Sequence, residues 1–194
     1  MKWGIPDYRL PKDKLAAEIN VIERAGVEIR LNTRVESVEE LKKEYDAVFI
    51  ATGAHMATRM DVEGIDKEGV QFGIDFLRKV NNGEKVDVGA NVIVVGGGST
   101  AMDAARTAKR LGAEVRVLYR RTKAEMPAHL EEVNEAVEEG IILDTMTNPI
   151  EVLGNGKVEA VRCIRTQQGD FDSSGRRRPV AVEGSEFAAK ADLI

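Results

Sequence analysis

The stretch that decides the fold runs from Val92 to Arg121 and reads VIVVGGGSTAMDAARTAKRLGAEVRVLYRR. An apolar run, a glycine turn, a helix-like segment and a second apolar run follow one another within about 30 residues, as in a β-α-β unit. The pattern predicts a strand over residues 92–95, a helix over 100–111 and a strand over 114–119.

The glycine turn fits the dinucleotide-binding pattern G-x-G-x-x-G/A through Gly96, Gly98 and Ala101. The first glycine permits the tight turn, the second lets the backbone approach a pyrophosphate, and the third small residue lets helix and strand pack closely. Free N–H groups at the helix start then face the phosphates. The predicted cofactor-binding residues of this turn are Gly96, Gly97, Gly98, Ser99, Thr100 and Ala101. A glycine turn that binds nothing is the alternative.

Basic residues stand at the end of the second strand. In sites for NAD, an acidic residue about 20 positions beyond the turn binds the ribose 2′-hydroxyl, whereas a cation there accepts the 2′-phosphate of NADP. Here Arg120 and Arg121 take that place, and Lys123 follows. A guanidinium can donate two hydrogen bonds to one phosphate, so these residues predict a preference for NADPH. A solvated basic turn is the alternative.

The flanking sequence predicts further elements of the same class. Upstream we expect a helix after Pro11 that ends at Gly26, a strand over 27–31, a short helix over 37–44, a buried strand over 46–51 and a helix over 73–81. Downstream we expect a helix opened by Pro127, a strand over 141–143, and an antiparallel pair formed by 150–153 and 157–165. Residues 169–184 are polar and turn-rich.

Composition narrows the functional classes. The 194 residues carry a net charge of −5, which argues against nucleic acid as a partner. The single cysteine, Cys163, cannot form a disulfide framework or a redox pair within the chain. Apolar runs are too short to span a bilayer, and the N-terminus has no apolar signal core, so we expect a cytoplasmic protein without a membrane partner.

Several other motifs are better explained without a function. Tyr119 and Lys123 form Y-x-x-x-K, but the catalytic version of that pair needs one helix, and Tyr119 ends a predicted strand. The run Arg176–Arg178 is interpreted as a solvated hairpin tip rather than a second phosphate site. His55 and His129 have no neighbours at metal-ligand spacing, so we predict no metal site.

Taken together, the segments WGIPDYRLP, GVEIRLNTRV, YDAVFIATGAH, VIVVGGGSTAMDAARTAKRLGA, YRRTKAEMPA and SGRRRPV resemble the small subunit of NADPH-dependent glutamate synthase and its relatives, including the electron-entry module of dihydropyrimidine dehydrogenase. The resemblance covers nearly the whole chain. It implies two interlocked Rossmann-like domains, one for FAD and one for NADPH, with hydride transfer from NADPH to FAD and onward transfer through iron–sulfur centres to a partner. It also implies that Thr52 and Gly53 lie near the flavin.

The expected fold class is therefore α/β: a Rossmann-like parallel sheet with helices on both faces, an antiparallel β-meander and a partial second domain of FAD type. We assign residues 1–57, with 190–194 returning, to the FAD-domain flank and 58–189 to the NADPH-binding domain. The glycine fingerprint for FAD is expected upstream of residue 1, so the 194 residues alone should bind NADPH, retain little FAD and show no turnover. Ser99 stands where the family usually has Asn or Asp.

Two other functions are considered, of which the single cysteine excludes the second within this chain. One is a binding module that takes up NADP and has no catalytic activity, which the missing FAD fingerprint favours. The other is a disulfide reductase of the thioredoxin-reductase type, which needs a Cys-x-x-Cys pair that this chain lacks.

Overall fold

The computed structural model describes residues 1–173 and 175–194, and the chain divides into two compact units. The smaller unit is Leu10–Met56, and the larger combines Met1–Arg9 with Ala57–Ile194. The predicted FAD-domain flank, residues 1–57 with 190–194, coincides with the smaller unit only in part. Its assignment to a flavin domain remains a prediction.

The smaller unit contains two helices, α1 (Lys12–Arg24) and α2 (Val38–Glu44). The strands predicted over 27–31 and 46–51 are not formed in the described structure. A strand is held by hydrogen bonds to a neighbouring strand, and neither segment has such a neighbour among the described residues. Their apolar side chains are accordingly exposed, and Phe49 is 93% accessible.

The larger unit contains the predicted β-α-β unit. Its parallel sheet has the order β1-β2-β3, and three helices accompany it. The elements are α3 (Gly73–Asn81), β1 (Asn91–Val95), α4 (Ser99–Arg110), β2 (Glu114–Tyr119), α5 (Leu130–Glu138) and β3 (Ile142–Thr145). The predicted helix over 73–81 and the predicted strand over 114–119 are confirmed at both ends, and α4 begins and ends within one residue of its prediction.

An antiparallel sheet follows the third parallel strand. Its central strand pairs with three others. The strands are β4 (Thr147–Leu153), β5 (Ala160–Phe171), β6 (Arg177–Ala181) and β7 (Phe187–Lys190), with β5 at the centre. The predicted antiparallel pair is confirmed as β4 and β5. The polar stretch 169–184, by contrast, contains the end of β5 and all of β6, which together form the β5–β6 hairpin.

Side-chain alternation along β1 and β2 separates two cores. Val92, Val115 and Val117 pack with residues of α3, α4 and α5, whereas Ile93 and Leu118 pack with residues of β4 and β5. Successive side chains of a strand point to opposite faces, so one strand serves both cores. The three helices of this unit share one face of the sheet, and the antiparallel sheet covers the other. This arrangement differs from the predicted helices on both faces.

The last residues of the chain lie beside β1. Asp192 accepts hydrogen bonds from the N–H groups of Ala90 and Asn91 at 3.0 and 2.8 Å, and Ile93 donates to the carbonyl oxygen of Leu193 at 2.9 Å. In the described structure these residues therefore extend the larger unit.

A carboxylate joins the two sheets. Asp144 on β3 accepts hydrogen bonds from Arg116 on β2 and from Arg165 on β5, the latter at 2.9 Å. Burial of the carboxyl group opposes its ionisation, but the two arginines outweigh burial and lower the pKa of Asp144. The charge therefore contributes to stability.

We expect Leu118→Ala to lower the free energy of unfolding by about 2–5 kcal/mol, because the substitution leaves a cavity between the parallel sheet and the antiparallel sheet. Leu118 is fully buried, whereas Leu130 is 66% accessible. Leu130→Ala is the control, with an expected change below about 0.5 kcal/mol. Urea unfolding followed by circular dichroism measures both values, and equal losses would contradict the two-core arrangement.

We expect Asp144→Asn to lower the free energy of unfolding by about 1.5–3 kcal/mol at neutral pH, the range for hydrogen bonds to charged groups. Because the folded pKa lies below its ordinary value of 3.8, the contribution is present above that pH and is lost as pH falls through the folded pKa. Unfolding curves of both proteins should therefore converge in acid. Asp66→Asn, at a side chain that is 83% exposed, should show no such convergence.

Candidate functional site

The glycine turn begins where β1 ends and is bonded to β2. The N–H group of Gly96 donates to the carbonyl oxygen of Leu118 at 3.0 Å. Gly96 has a φ angle of +136°, which side chains rarely permit, and a Cβ there would lie 3.5 Å from that of Ala101. The turn thus starts with a backbone that favours glycine, against a helix residue that is itself small.

The next two glycines face different surroundings. A Cβ on Gly97 would lie 2.7 Å from ring atoms of Tyr119, so the ring packs directly on this peptide. The Tyr119 hydroxyl donates to the carbonyl oxygen of Glu125 at 2.7 Å, which fixes the ring. At Gly98, in contrast, an added Cβ would meet no atom within 4 Å. Gly98 is the place where a ligand can reach the backbone.

The start of α4 offers hydrogen-bond donors. Gly98 is the N-cap, and the first turn contains Ser99, Thr100 and Ala101. The N–H groups of a helix's first turn have no partner four residues earlier. That of Ala101 donates to the carbonyl oxygen of Gly98 at 2.9 Å, whereas no side chain caps those of Ser99 and Thr100. Together with the positive end of the helix dipole, they form a surface suited to phosphate. The predicted turn residues are therefore brought together.

The two predicted arginines differ in their surroundings. Arg120 is exposed, and its guanidinium has no hydrogen-bond or ion-pair partner within the described part of the chain. Arg121 is 6% accessible and is ion-paired with Asp172, at 2.8 Å from Nη2. Only the first of the two is free to receive an additional anion.

The remaining predicted site residues are Lys123, in the larger unit, and Thr52 and Gly53, in the smaller one. Nζ of Lys123 donates to Oδ1 of Asn134 at 2.9 Å, in the short 3₁₀ helix Lys123–Glu125 that follows β2. Thr52 and Gly53 belong to the smaller unit, where Gly53 has a φ angle of +71°. Their contribution to a shared site remains a prediction.

Buried charges support the helix from its other side. Nη1 of Arg9 donates to both carboxylate oxygens of Asp103 at 3.0 and 2.9 Å, and Nη2 lies 2.6 Å from Oε1 of Glu132. Burial raises the pKa of Asp103, and the hydrogen bond from Arg9 opposes that rise without cancelling it. Asp103 lies in the second turn of α4, so this network connects the N-terminal segment to the phosphate-facing helix.

Tyr8 extends this network along α4. Its ring lies beneath the guanidinium groups of Arg106 and Arg110, at 4.6 and 3.8 Å from the ring centre. Burial, with the charge of Asp103, raises the pKa of Tyr8 to about 12. The neutral phenol is therefore the form present at physiological pH, and it serves as a packing surface for the two cations.

Sequence reasoning missed the β5–β6 hairpin as a part of the site. Asp172, Gln168 and Arg177 all hydrogen-bond with residues after β2. The sequence offered no local signal for this, because Asp172 pairs with Arg121, which lies 51 positions earlier in the chain. We found no group of three metal-ligating side chains in residues 1–173 and 175–194. The helices in those ranges are also too short or too polar to cross a membrane.

Comparison with known proteins assigns a family. Residues 10–175 match the family described as "Pyridine nucleotide-disulphide oxidoreductase". Over 98% of its length the chain is 47% identical to "NADP(+)-dependent formate dehydrogenase subunit beta" of Moorella thermoacetica, and 46% identical to "NADPH-Fe(3+) oxidoreductase subunit beta" of Geobacter sulfurreducens. It is 37% identical over its whole length to "Glutamate synthase [NADPH] small chain" of Escherichia coli.

The chain spans 28%, 30% and 45% of those three relatives, respectively. Among solved structures, it is similar to Mycobacterium tuberculosis FprA in complex with NADPH, with a TM-score of 0.66 and 20% identity over 80% of this chain and 50% of that one. That likeness shows the fold, in agreement with the predicted Rossmann-like class. The match over residues 10–175, together with the relatives' identity, shows that the chain belongs to the pyridine nucleotide-disulphide oxidoreductase family.

Proposed function

We propose that the chain is the NADPH-binding part of a flavoprotein oxidoreductase that passes hydride from NADPH to FAD and electrons onward to a partner subunit or iron–sulfur domain. The observation that carries the proposal is the exposed guanidinium of Arg120, without a partner in the described chain, at the strand end beside an open glycine turn. A cation in this position matches the 2′-phosphate of NADPH rather than the 2′-hydroxyl of NADH.

The residues present fit the pyrophosphate as well. The open space at Gly98 admits a ligand to the backbone, and the N–H groups of Ser99 and Thr100 supply donors at the positive end of α4. The same first turn contains no acidic side chain that would repel a phosphate. This end of the sheet therefore combines a pyrophosphate surface with a separate cation for the third phosphate.

The proposed chemistry needs little from the protein beyond positioning. Bound NADPH and FAD supply the hydride donor and acceptor, and the chain binds and orients the nucleotide. The site accordingly contains no side chain that we assign as a general acid or base. We propose that Thr52 and Gly53 border the flavin, as the family resemblance implies.

The names of the relatives support an onward electron acceptor. Two are designated as subunits beta, of a formate dehydrogenase and of an NADPH-Fe(3+) oxidoreductase, and a third is a small chain of glutamate synthase. The enzymes in these names differ, so this chain is proposed as an entry point for electrons whose terminal acceptor is set by its partner.

A second candidate is an NADP-binding module without activity of its own. It is favoured by the presence of one G-x-G-x-x-A strand–turn–helix unit in the 194 residues, the one that begins at Gly96. FAD binding by this chain, measured by titration and visible absorbance, would favour the oxidoreductase over the binding module, whereas weak FAD binding is expected of both.

We expect this chain to bind NADPH more tightly than NADH, and Arg120→Ala to remove most of the preference. A charge-assisted hydrogen bond contributes about 1.5–3 kcal/mol, so the loss should be roughly 10- to 100-fold in the affinity ratio. Calorimetric titration with each nucleotide measures that ratio.

Arg24→Ala is the matched control, since it removes an exposed arginine in the last turn of α1, outside both the glycine turn and the β5–β6 hairpin. It should leave the ratio near the wild-type value. Equal affinities of the wild-type protein for NADPH and NADH would remove the basis of the proposal.

We expect Gly98→Ala to weaken the binding of NADPH and of NADH to the same extent, without lowering the free energy of unfolding. The φ angle of −90° permits alanine, and the added Cβ meets no protein atom within 4 Å. Gly97→Ala provides the opposite case, because its Cβ would overlap the Tyr119 ring and should lower the melting temperature. Thermal unfolding with nucleotide titration separates the two effects, and undiminished binding by Gly98→Ala would argue against a pyrophosphate there.

A further inference from the structure

The segment after β2, residues 120–126, is hydrogen-bonded to the β5–β6 hairpin through both backbone groups of Arg177. The N–H group of Arg177 donates to Oε1 of Glu125 at 3.1 Å, and its carbonyl oxygen accepts from Nε of Arg121 at 2.9 Å. We call residues 120–126 the β2 loop. Its two ends are thus bonded to a single residue of β6.

The carboxylate of Glu125 strengthens this connection. Its Oε2 accepts from the N–H and hydroxyl groups of Thr122 at 3.2 and 2.8 Å, and from Nε2 of Gln168 at 3.2 Å. The hydrogen bond from the Thr122 side chain is the largest of the causes that lower the pKa of Glu125, so the ionised form is the one that holds the loop.

Arg121 is the charged link to the hairpin. Its Nε and Nη2 donate to the carbonyl oxygen of Arg177 and to the carboxylate of Asp172, and its side chain is only 7% exposed. The Asp172 side chain is 20% exposed, so the pair is shielded from solvent and from screening by salt. A guanidinium with two of its three nitrogens engaged within the protein is poorly placed to receive a phosphate.

The backbone of Arg120 is fixed from the same sheet. Its carbonyl oxygen accepts from the Thr166 hydroxyl at 2.9 Å, while the carbonyl oxygen of Arg121 accepts from the N–H group of Met146 at 3.1 Å. The β2 loop has only one short turn of 3₁₀ helix, so these external bonds determine where the Arg120 side chain leaves the backbone.

We propose that the β5–β6 hairpin determines nucleotide preference, with Arg121 and Asp172 as positioning residues that hold Arg120 toward the 2′-phosphate. This inference rests on the proposed function and deepens it. Arg120 is the one residue of the three that contacts the phosphate. The hairpin acts through the β2 loop, so its loss should affect NADPH and leave NADH nearly unchanged.

Asp172→Asn is the sharpest variant. Oδ1 of Asp172 accepts from the N–H group of Arg176 at 3.2 Å, and an asparagine oxygen retains that bond in the hairpin turn while the charge opposite Arg121 is lost. Glu151→Gln is the matched control: it neutralises one partner of the Arg162–Glu151 pair, 2.7 Å apart, between β4 and β5. Asp172→Glu, which keeps the charge, tests for rescue.

The measurement is the ratio of NADPH to NADH affinity by calorimetric titration of the 194-residue chain and its variants. Asp172→Asn and Arg121→Ala should each lower the ratio roughly three- to thirtyfold, which lies within the range of effects between coupled neighbours. Glu151→Gln should not lower it, and Asp172→Glu should restore part of it. In an Arg120→Ala background, Asp172→Asn should have no further effect, because it acts through Arg120.

Hydrogen exchange provides a readout that does not depend on nucleotide. Amides of the β2 loop should exchange faster in Asp172→Asn than in Glu151→Gln. Unchanged exchange, or a wild-type affinity ratio in Asp172→Asn, would overturn the inference. A ratio that falls in Arg121→Ala but stays at the wild-type value in Asp172→Asn would also overturn it, since Arg121 would then be a direct ligand.

These outcomes are distinct from failure of the proposed function. If Arg120→Ala abolishes the preference while Asp172→Asn does not, the 2′-phosphate site stands and the positioning role falls. If the wild-type chain shows no preference for NADPH, the proposed function fails, and the inference fails with it.

Discussion

The parallel pairing of β1 with β2 is the constraint on which the site depends. The register places Val95 opposite Leu118, so the two strands end at the same edge of the sheet. The hydrogen bond from Gly96 to the carbonyl oxygen of Leu118 continues this pairing by one residue into the glycine turn. The turn and the β2 loop thereby start side by side, although about 20 residues of helix and strand separate them in sequence.

The two faces of this sheet contribute different parts of the site. The helix face provides α4, whose first turn offers N–H groups, and these donors would serve any dinucleotide. The other face is covered by the antiparallel sheet, from which the β5–β6 hairpin reaches the β2 loop. We therefore propose that nucleotide binding and the discrimination between NADPH and NADH are served by separate layers of the fold.

Sequence patterns were sufficient wherever the information is local. The helix α4 and the strand β2 follow from periodicity, and the turn between β1 and α4 follows from its glycines. The run over 46–51 shows the limit, because a strand exists only with a neighbour to bond and its apolar composition does not supply one. The sequence also did not predict that the antiparallel sheet covers one face of the parallel sheet, since the alternation of side chains in a strand does not identify what packs on each face.

The two arginines illustrate the same limit within the site. As adjacent residues of one type, Arg120 and Arg121 are equivalent to a pattern search, yet one is exposed and the other is 6% accessible. The difference arises from Asp172, which lies 51 positions further along the chain. The pairing of β5 with β6 brings that carboxylate to the β2 loop. The two arginines can therefore be distinguished only with the antiparallel sheet in view.

The ion pairs of Arg9 with Asp103 and Glu132 also constrain the position of α4. Removing Arg9 would leave the buried carboxylate of Asp103 without its cation, although the Arg9 side chain itself is 32% exposed to solvent. A well-packed apolar cluster of the same size could stabilise the fold as effectively, so stability alone does not account for the choice. The ion pairs also restrict geometry. Because Arg9 binds Asp103 and Glu132 at the same time, they fix the position of the N-terminal segment along α4 and α5. The second turn of α4 is thus tied through Asp103 to the N-terminal segment, one turn away from the N–H groups that we propose bind phosphate.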